Sequence, residues 1–394
     1  MKILILGSFL TKDQGGTNQG LISFANGLTK TSFAEPVIYA YAHDPTLLNP
    51  SIPVISASFP RRGRFVWRFP SAYLVSQQAE ELARHKLPDP DVAFTAHMHL
   101  AAAYHRVRPN VPLITHFGPV LAAREVMDVS QSWERRIEAQ FIERIERRMY
   151  QEDSCAHVVS TKLVAEIREN HFGLPKGYFH ICPYGTDINR FSRSHIKVDI
   201  RLQRGIPSDA FVVVTVARLV GWKRVDMVVD AVAKMPQDVY LLVVGDGPER
   251  QSLENRIHRL RVADRIHLAG WTHPVDWLAA ADVFVLTSEI ESFGLVYAEA
   301  MLLGLPCIGR RHQPPAVISS AEDVIPEGEA GFCVDSVEML VDRLQLLRDN
   351  PSQRRKMGDT ARILAEREYS VEHYIEFFRK TATNLINNHE AVIP

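Results

Sequence analysis

The sequence predicts an α/β protein in which a doubly wound parallel sheet occurs twice. Short β-branched apolar runs alternate along the chain with helical patterns, and these runs lack polar alternation, as is typical of parallel strands covered on both faces. The chain has 394 residues, which is too long for one ordinary core and about right for two. We therefore expect two domains of this kind, facing a central cleft.

The predicted strands form two series. The first is Ile3 to Leu6, Val37 to Tyr41, Val92 to Thr95 and Leu113 to Thr115, and the second is Phe211 to Val216, Val239 to Val244, Asp282 to Leu286 and Pro306 to Gly309. The opening run, Met1 to Gly7, is much shorter than the apolar region of a signal peptide and indicates a buried strand. No stretch approaches the roughly 20 apolar residues that are needed to span a bilayer.

A polar stretch between residues 190 and 207, dense in proline, glycine and charge, predicts the linker between the domains. The N-terminal domain is then residues 1–189 and the C-terminal domain residues 190–368. Residues 369–394 carry aromatic side chains at helical spacing, so we expect a C-terminal helix that packs back on the N-terminal domain. These aromatic residues are Tyr374, Phe377 and Phe378.

Composition excludes several classes of protein. Hydrophobic residues make up 46% and charged residues 23%, so the chain can bury a core and disorder is not expected. The formal net charge is -1, which gives no overall attraction to nucleic acid. The cysteines are Cys155, Cys182, Cys307 and Cys333, without a C-x-x-C pair. This spacing indicates neither a zinc site nor a disulfide framework, and it fits a reducing, cytoplasmic compartment.

Ligands of open parallel sheets bind beyond the carboxyl ends of the strands, so the loops there carry the candidate residues. After the first strand, Gly15 and Gly16 lead into a helix whose N-terminal amides could approach an anion. A plain turn explains two glycines equally well. After the strand Phe211 to Val216 come Arg218 and Lys223, which suit a diphosphate, although two solvated charges are the simpler explanation of the pair taken alone.

Two further loops follow strands of the second series. Gly245-Asp246-Gly247-Pro248 predicts a tight structural turn, since Arg250 stands where a dinucleotide-binding motif has its last glycine. Glu291 and Glu299 flank a predicted helix start near Phe293, so the two carboxylates would address different parts of one ligand. The free amides of Phe293 to Val296 would point at that ligand.

Together these residues resemble the retaining nucleotide-sugar glycosyltransferases of family 4, which have two Rossmann-like domains in the GT-B architecture. The C-terminal pattern of that family is matched by Glu291, Phe293-Gly294-Leu295, Glu299-Ala300-Met301 and Gly304-Leu305-Pro306. Three departures stand out. They are Tyr184 in place of a usual asparagine, Arg224 in place of a usual glycine, and the segment Arg310 to Pro315 in place of a glycine-rich turn.

The resemblance implies a role for each candidate residue. Arg218 and Lys223 would stabilise the departing diphosphate above the Gly15-Gly16 loop, and His116 would contact the donor sugar. Glu291, with Phe293, Gly294 and Leu295, would hold sugar hydroxyls, Glu299 would accept the ribose hydroxyls, and Trp271 would lie beside the base. A buried tryptophan is an equal interpretation of Trp271.

The resemblance implies transfer of a hexosyl or N-acetylhexosaminyl group from a nucleoside-diphosphate sugar, with UDP favoured, to an acceptor hydroxyl. The acceptor would be a small molecule, a glycan or a lipid-linked compound, and no metal or cofactor beyond the donor would be needed. Two alternatives stay open. They are a nucleotide-sugar 2-epimerase of the same fold, which would convert the donor without an acceptor, and a non-catalytic sugar-nucleotide-binding protein.

Other motifs carry weaker hypotheses. The segment Arg61 to Phe69 mixes cations with large apolar groups, which is typical either of a peripheral membrane contact at the inner face or of a surface or acceptor-binding loop. His97 and His99 share a face and could bind a metal, but an acceptor-lining residue beside a structural one is favoured. Asp89-Pro90-Asp91 predicts a turn, and Ser132 to Tyr150 a solvated helix with i,i+4 ion pairs.

Overall fold

The computed structural model describes residues 1–11, 16–58, 70–117 and 133–390 and divides the chain into two compact units. Unit 1 comprises Met1–Gly185 together with the segment that starts at Val371, and unit 2 comprises Thr186–Ser370. The division falls a few residues from the boundaries suggested by the sequence, which are residues 189 and 368. None of the described helices is long and apolar enough to cross a membrane.

Unit 1 is built on a parallel sheet with helices between its strands. Its strands are β1 (Lys2–Leu6), β2 (Phe9–Leu10), β3 (Glu35–Ala40), β4 (Ala42–His43), β5 (Val54–Ser56), β6 (Val92–Thr95), β7 (Leu113–Phe117), β8 (Cys155–Val159) and β9 (His180–Ile181). Its helices, within the described residues, are α1 (Gly16–Leu28), α2 (Pro70–Arg84), α3 (Met98–Val107), α4 (Trp133–Met149), α5 (Lys162–Phe172) and the C-terminal helix (Val371–Glu390).

The strand order of the main sheet in unit 1 is β5-β3-β1-β6-β7-β8-β9. From β1 the chain passes to β3 on one side, and it later returns to place β6 on the other side of β1, with Leu6 opposite Thr95. The direction of winding therefore reverses between β1 and β6. The crevice at such a switch point, beyond the carboxyl ends of the strands, is where open α/β sheets bind ligands.

The C-terminal helix belongs to unit 1 because its aromatic face packs on α1. The ring of Phe24 meets Tyr374 edge-on at 5.3 Å between centroids and Phe378 at 4.9 Å. The backbones come close at Gly27, where an added Cβ would lie 2.6 Å from Cδ1 of Ile375. Such aromatic pairs stabilise a core beyond the area that they bury.

Helix α4 corrects one expectation from the sequence. The exposed pair of Arg147 and Glu143, 3.1 Å apart, is of the expected i,i+4 kind. Glu146, in contrast, is buried and lies 3.2 Å from the buried guanidinium of Arg168 on α5. The solvated-helix interpretation is wrong for Glu146, because its partner comes from a neighbouring helix.

Unit 2 repeats the architecture. Its strands are β10 (Phe211–Val216), β11 (Val239–Val244), β12 (Ile266–Gly270), β13 (Val283–Leu286), β14 (Ile290–Glu291), β15 (Cys307–Arg310), β16 (Ile318–Ser319) and β17 (Gly331–Val334). Its α-helices are α6 (Ile200–Gln203), α7 (Val225–Ala233), α8 (Arg250–Leu260), α9 (Val275–Ala279), α10 (Leu295–Leu302), α11 (Ala321–Val324), α12 (Val337–Asp349) and α13 (Pro351–Glu368).

The parallel sheet of unit 2 has the order β12-β11-β10-β13-β15-β17, while β14 and β16 form a separate pair. Here the winding reverses between β10 and β13, whose registers place Val213 opposite Val283. Both strands are fully buried along most of their length, as expected for a sheet covered by helices on two faces. The loops after β10 and β13 therefore define the second switch point.

Candidate functional site

Backbone hydrogen bonds join the loop after β10 to the end of β11 and to the Gly245-Asp246-Gly247-Pro248 turn. The amide of Ala217 donates to the carbonyl of Val244 at 3.0 Å, and that of Leu219 donates to the carbonyl of Asp246 at 2.9 Å. Gly245 has a φ of 135°, and a Cβ there would lie 1.9 Å from the carbonyl oxygen of Ala217. The turn positions the backbone on either side of Arg218, as a structural turn should.

Two cations follow β10, and they have different surroundings. Arg218 is exposed, and no ion pair or side-chain hydrogen bond joins it to the residues that the structure describes. The ammonium of Lys223 donates to Oε2 of Glu291 at 2.6 Å, and both side chains are largely buried. Lys223 follows β10 and Glu291 follows β13, so this ion pair spans the switch point of unit 2.

Arg224 explains one departure from the family pattern. Its φ is 48°, in the left-handed region where glycine is favoured, and this accounts physically for the glycine usual at the position. The guanidinium forms two hydrogen bonds with the carboxylate of Asp226 and one of 2.7 Å with Oε1 of Glu289. Thr287 donates to the Arg224 carbonyl at 2.7 Å. These contacts stabilise the left-handed conformation of Arg224, the residue that follows Lys223.

The start of α10 offers unpaired backbone donors. Gly294 is the N-cap, with a φ of 73°, and no side chain caps the helix. A Cβ on Gly294 would lie 2.8 Å from Cδ2 of Tyr297, so the close turn requires glycine. The hydroxyl of Tyr297 donates to the carbonyl of Leu286 at 3.1 Å and ties α10 to β13. Tyr297 donates its amide to the carbonyl of Gly294 at 2.8 Å, whereas the amides of Leu295 and Val296 have no partner among the described residues and lie at the helix start that follows Glu291.

Glu299 lies in the second turn of α10. Burial raises the pKa of its carboxyl to about 7, and the charge of Arg190 lowers it in part. The Nε of Arg190 donates to Nε2 of His273 at 3.1 Å, so two residues that the sequence analysis did not select stand near this carboxyl and the loop after β12. Arg190 and His273 belong to no recognisable sequence motif, so the sequence alone gave no reason to select them.

Trp271 follows β12 directly, and its side chain is 61% exposed. The buried-core interpretation of this residue is therefore wrong. An exposed indole at the carboxyl end of a parallel strand is available to stack on a planar ligand.

His116 lies in β7 and is completely buried in unit 1. Its Nδ1 is 2.8 Å from the hydroxyl of Tyr374 and its Nε2 is 3.0 Å from Oγ of Ser160. Tyr184 stacks on the ring at 3.7 Å, and burial lowers the pKa of His116 to about 3. Because both ring nitrogens have partners, the described geometry leaves His116 no free nitrogen for the expected contact with a donor sugar.

The remaining sequence candidates have these outcomes. Gly16 begins α1, whereas Gly15 and the segment Arg61 to Phe69 lie outside the described residues. Asp91 accepts a hydrogen bond from the amide of Lys2 at 2.7 Å, and Asp89 one from Arg108 at 2.8 Å, as expected for a structural turn. Among the described residues, no group of three or more His, Cys, Asp and Glu side chains is placed to hold a metal ion.

Comparison with known proteins places unit 2 in a family. Residues 197–363 match the family model described as Glycosyl transferases group 1. The match lies within unit 2 and covers less than half of the chain, and the two Rossmann-like units have the GT-B fold.

Two curated relatives show how far the similarity extends. N-acetyl-alpha-D-glucosaminyl L-malate synthase of Bacillus anthracis is 35% identical over 169 residues, 41% of this chain and 42% of the relative. D-inositol 3-phosphate glycosyltransferase of Xylanimonas cellulosilytica is 29% identical over 232 residues, 54% and 53% of the two chains. The chain therefore matches about half the length of these relatives.

Solved structures share the whole fold at low identity. Anabaena Alr3699/HepE, crystallised in complex with UDP and glucose, superposes with a TM-score of 0.74 and 21% identity over 98% of this chain and 100% of that one. Sucrose-phosphate synthase from Thermosynechococcus elongatus gives a TM-score of 0.79 and 19% identity over 98% and 99%.

Proposed function

We propose that this protein is a retaining, metal-independent glycosyltransferase of family 4. It moves a hexosyl or N-acetylhexosaminyl group from a nucleoside-diphosphate sugar, with UDP favoured, to an acceptor hydroxyl. The observation that carries the proposal is the Lys223–Glu291 pair, 2.6 Å apart at the switch point of unit 2. Arg218 lies on the same loop, is exposed and has no ion pair with any described residue. The UDP and glucose bound by the Anabaena structure support the choice of donor.

Lys223 can serve the carboxylate and the donor together. An ammonium has three N–H donors, and one of them is used by Glu291. The other two can reach diphosphate oxygens, and the forked guanidinium of Arg218 can bind a second pair. Negative charge grows on the leaving oxygen as the glycosidic bond breaks, so these cations stabilise the transition state more than the bound donor.

The rest of the donor is held by elements already at the switch point. The free amides of Phe293, Gly294 and Leu295, with the Glu291 carboxylate, bind sugar hydroxyls. Glu299 accepts hydrogen bonds from the ribose, and Trp271 stacks on the base.

Retention follows from substitution on one face of the sugar. The bond from the anomeric carbon to the phosphate oxygen breaks with its electron pair, and the acceptor oxygen bonds to the same face. The leaving phosphate oxygen takes the acceptor proton. This route needs no carboxylate nucleophile and no metal.

A ligand screen tests the proposal directly. UDP-glucose, UDP-N-acetylglucosamine, UDP-galactose and GDP-mannose should be compared by thermal shift, since a ligand that binds only the folded state raises its stability. We expect at least one UDP-sugar to raise the melting temperature, also in EDTA, and transfer to give the donor's anomeric configuration by NMR. No shift with any donor, or an inverted product, would contradict the proposal, and donor converted without any acceptor would indicate the epimerase.

The proposed location is the cytoplasm. This proposal rests on the spacing of the four cysteines, which lack a C-x-x-C pair and indicate no disulfide framework. Peripheral contact with the inner face of a membrane through Arg61 to Phe69 stays a prediction, tested by sedimentation with anionic vesicles.

A further inference from the structure

A second ion pair stands next to the Lys223–Glu291 pair at the switch point of unit 2. Arg224 follows Lys223 directly in the loop after β10, and its Nη1 lies 2.7 Å from Oε1 of Glu289. Glu289 precedes Glu291 by two residues in the segment after β13. It belongs to none of the motifs that the sequence analysis selected. The same two loops are therefore joined by two cation–carboxylate pairs, of which the proposed function uses one.

The two loops are also joined through backbone groups. The amide of Glu289 donates to the carbonyl of Trp222 at 2.7 Å, and the hydroxyl of Thr287 donates to the carbonyl of Arg224 at 2.7 Å. Neither hydrogen bond involves the guanidinium of Arg224 or the carboxylate of Glu289. We therefore expect the loops to stay joined when the charges of this pair are removed, so that the effect of charge can be tested apart from that of loop position.

The backbone at Arg224 does not favour arginine. Its φ of 48° lies in the left-handed region, where every residue except glycine is strained. Glycine, which is usual at this position in the family pattern, would avoid the strain. A side chain that is present in spite of a local cost suggests a function for that side chain.

The charge of Glu289 supplies a reason for the arginine. Its side chain is 30% exposed, and a partly buried carboxylate without a cation is unfavourable. The cation next to Arg224 along the loop is Lys223, which already binds Glu291. Without the guanidinium, Glu289 would compete for this ammonium and place a negative charge beside the proposed diphosphate.

Arg310, at the end of β15, is the other cation near this carboxylate. Burial lowers the pKa of Arg310, the charge of Arg224 lowers it further, and nearby carboxylates, including that of Glu289, oppose the shift. Its Nη1 donates to Sδ of Met227 at 2.7 Å. Arg310 and Glu289 both lie in the described part of the chain, and no ion pair joins them. Arg224 is thus the direct partner of Glu289.

We propose that Arg224 is a positioning residue for the diphosphate site, because its guanidinium neutralises Glu289 and so leaves the Lys223 ammonium to Glu291 and the diphosphate. A charge that is matched here prevents repulsion of an anionic ligand. The proposal rests on the proposed function, since it concerns the diphosphate of the donor. The competing explanation is that the Arg224 side chain only holds the shape of its loop.

Three variants separate the two explanations: Arg224→Gly, Glu289→Gln and the double variant. Glycine suits the left-handed backbone, so we expect Arg224→Gly to fold. The Kd of UDP should rise about tenfold in Arg224→Gly at low ionic strength, and by less in about 0.5 M salt, which screens the exposed charge. Glu289→Gln should bind UDP at least as tightly as the unmodified protein. The double variant should return the Kd to within about threefold of its original value.

Calorimetry measures the Kd of UDP, and urea unfolding shows whether each variant is folded. Recovery of binding in the double variant supports the proposal, because removal of a second side chain does not restore a contact that only held the loop. Normal UDP binding by Arg224→Gly would overturn the inference. So would a double variant that binds as weakly as Arg224→Gly, or weak binding by Glu289→Gln alone.

Arg348→Ala is the matched control, because it also leaves a carboxylate of unit 2 without its arginine. Arg348 pairs with Asp238 at 2.7 Å, and Asp238 precedes β11, at the amino end of the strands and so at the opposite edge from the switch point. The Kd of UDP should stay within about twofold. A rise as large as in Arg224→Gly would overturn the inference. An unmodified protein that binds neither UDP nor any of the donors would instead overturn the proposed function.

Discussion

Among single residues, Lys223 is the most informative. Its ammonium binds the carboxylate of Glu291, which follows the neighbouring strand, and we propose that a diphosphate binds beside this ion pair. Lys223 pairs with Glu291 at 2.6 Å while Arg218 stays exposed. The ion pair thus fixes the position of the Lys223 ammonium before a ligand binds, whereas the Arg218 side chain is exposed to solvent. Preorganised charge of this kind accelerates reactions because it needs no rearrangement in the transition state.

Lys223→Ala should therefore lower kcat by about a hundredfold to a thousandfold, as the loss of one such donor does elsewhere. Steady-state kinetics at saturating donor measure this. Lys234→Ala is the matched control, because Lys234 forms an ion pair of 2.7 Å with Glu338 on the exposed surface of the same unit and should leave kcat unchanged. Full activity of Lys223→Ala would contradict the account.

Glu299 sets a second prediction at this scale. Its pKa is raised from 4.5 to about 7 by burial, so the folded protein holds this proton more tightly than the unfolded chain. The resulting stabilisation is complete below about pH 4.5 and is lost as the pH rises through about 7. Glu299→Gln should equal the unmodified protein in stability at pH 4.5, exceed it by about 1–3 kcal/mol at pH 8, and bind UDP more weakly.

Urea unfolding at the two pH values measures the difference in the free energy of unfolding, and calorimetry measures UDP binding. Equal stability of the two proteins at pH 8 would show that the pKa of this carboxyl is not raised in the folded protein.

Single residues also show where sequence reasoning stops. The motif selected Lys223, Glu291 and Glu299 because their types and spacing carry chemistry. It could not show that Arg224 adopts a positive φ, or that Glu289 from the loop after β13 pairs with its guanidinium. Nor could it show that both nitrogens of His116 are engaged, because Tyr374 is distant in sequence and is brought near by the fold.

At the scale of elements, the Gly245 turn positions the Arg218 loop. Gly245→Ala should reduce stability by several kcal/mol and weaken UDP binding, because its Cβ would collide with the backbone of Ala217 at 1.9 Å. Gly205→Ala is the control: Gly205 also has a positive φ of 65°, but a Cβ there meets nothing within 4 Å. It should cost about 1–2 kcal/mol and leave UDP binding unchanged. Equal effects of the two variants on stability and on UDP binding would show that the Gly245 turn does not position the Arg218 loop.

The pair of Glu146 and Arg168 tests how α4 and α5 hold together. Glu146→Ala should lower the free energy of unfolding by about 3–5 kcal/mol, because it leaves a buried guanidinium without its carboxylate. Glu143→Ala breaks an exposed pair on the same helix and should cost less than about 1 kcal/mol. Denaturant melts of both variants make the comparison, and similar losses would place Glu146 in solvent.

Elements were predicted unevenly for physical reasons. Long apolar strands such as Phe211–Val216 and Val239–Val244 follow from their runs of β-branched residues. Five strands near or at the edges of the two main sheets were not predicted, because they are short or carry histidine and glycine. They are Val54–Ser56, Cys155–Val159, His180–Ile181, Ile266–Gly270 and Gly331–Val334.

At the scale of the whole molecule, the length of the chain and the two strand series predict two parallel sheets, and the structure confirms them. The switch point of each sheet then singles out one crevice per unit. In unit 2 this crevice holds the ion pair of Lys223 and Glu291, and this charge is the reason for proposing that unit 2 binds an anionic donor.

Hydrogen–deuterium exchange with and without UDP tests the central claim, that unit 2 binds a nucleoside diphosphate at its switch point. We expect UDP to slow exchange in the loop from Arg218 to Arg224 and in the first turn of α10, and to leave the amides around His97 unchanged. UDP that binds without protecting either segment of unit 2, or that protects only unit 1, would contradict the account.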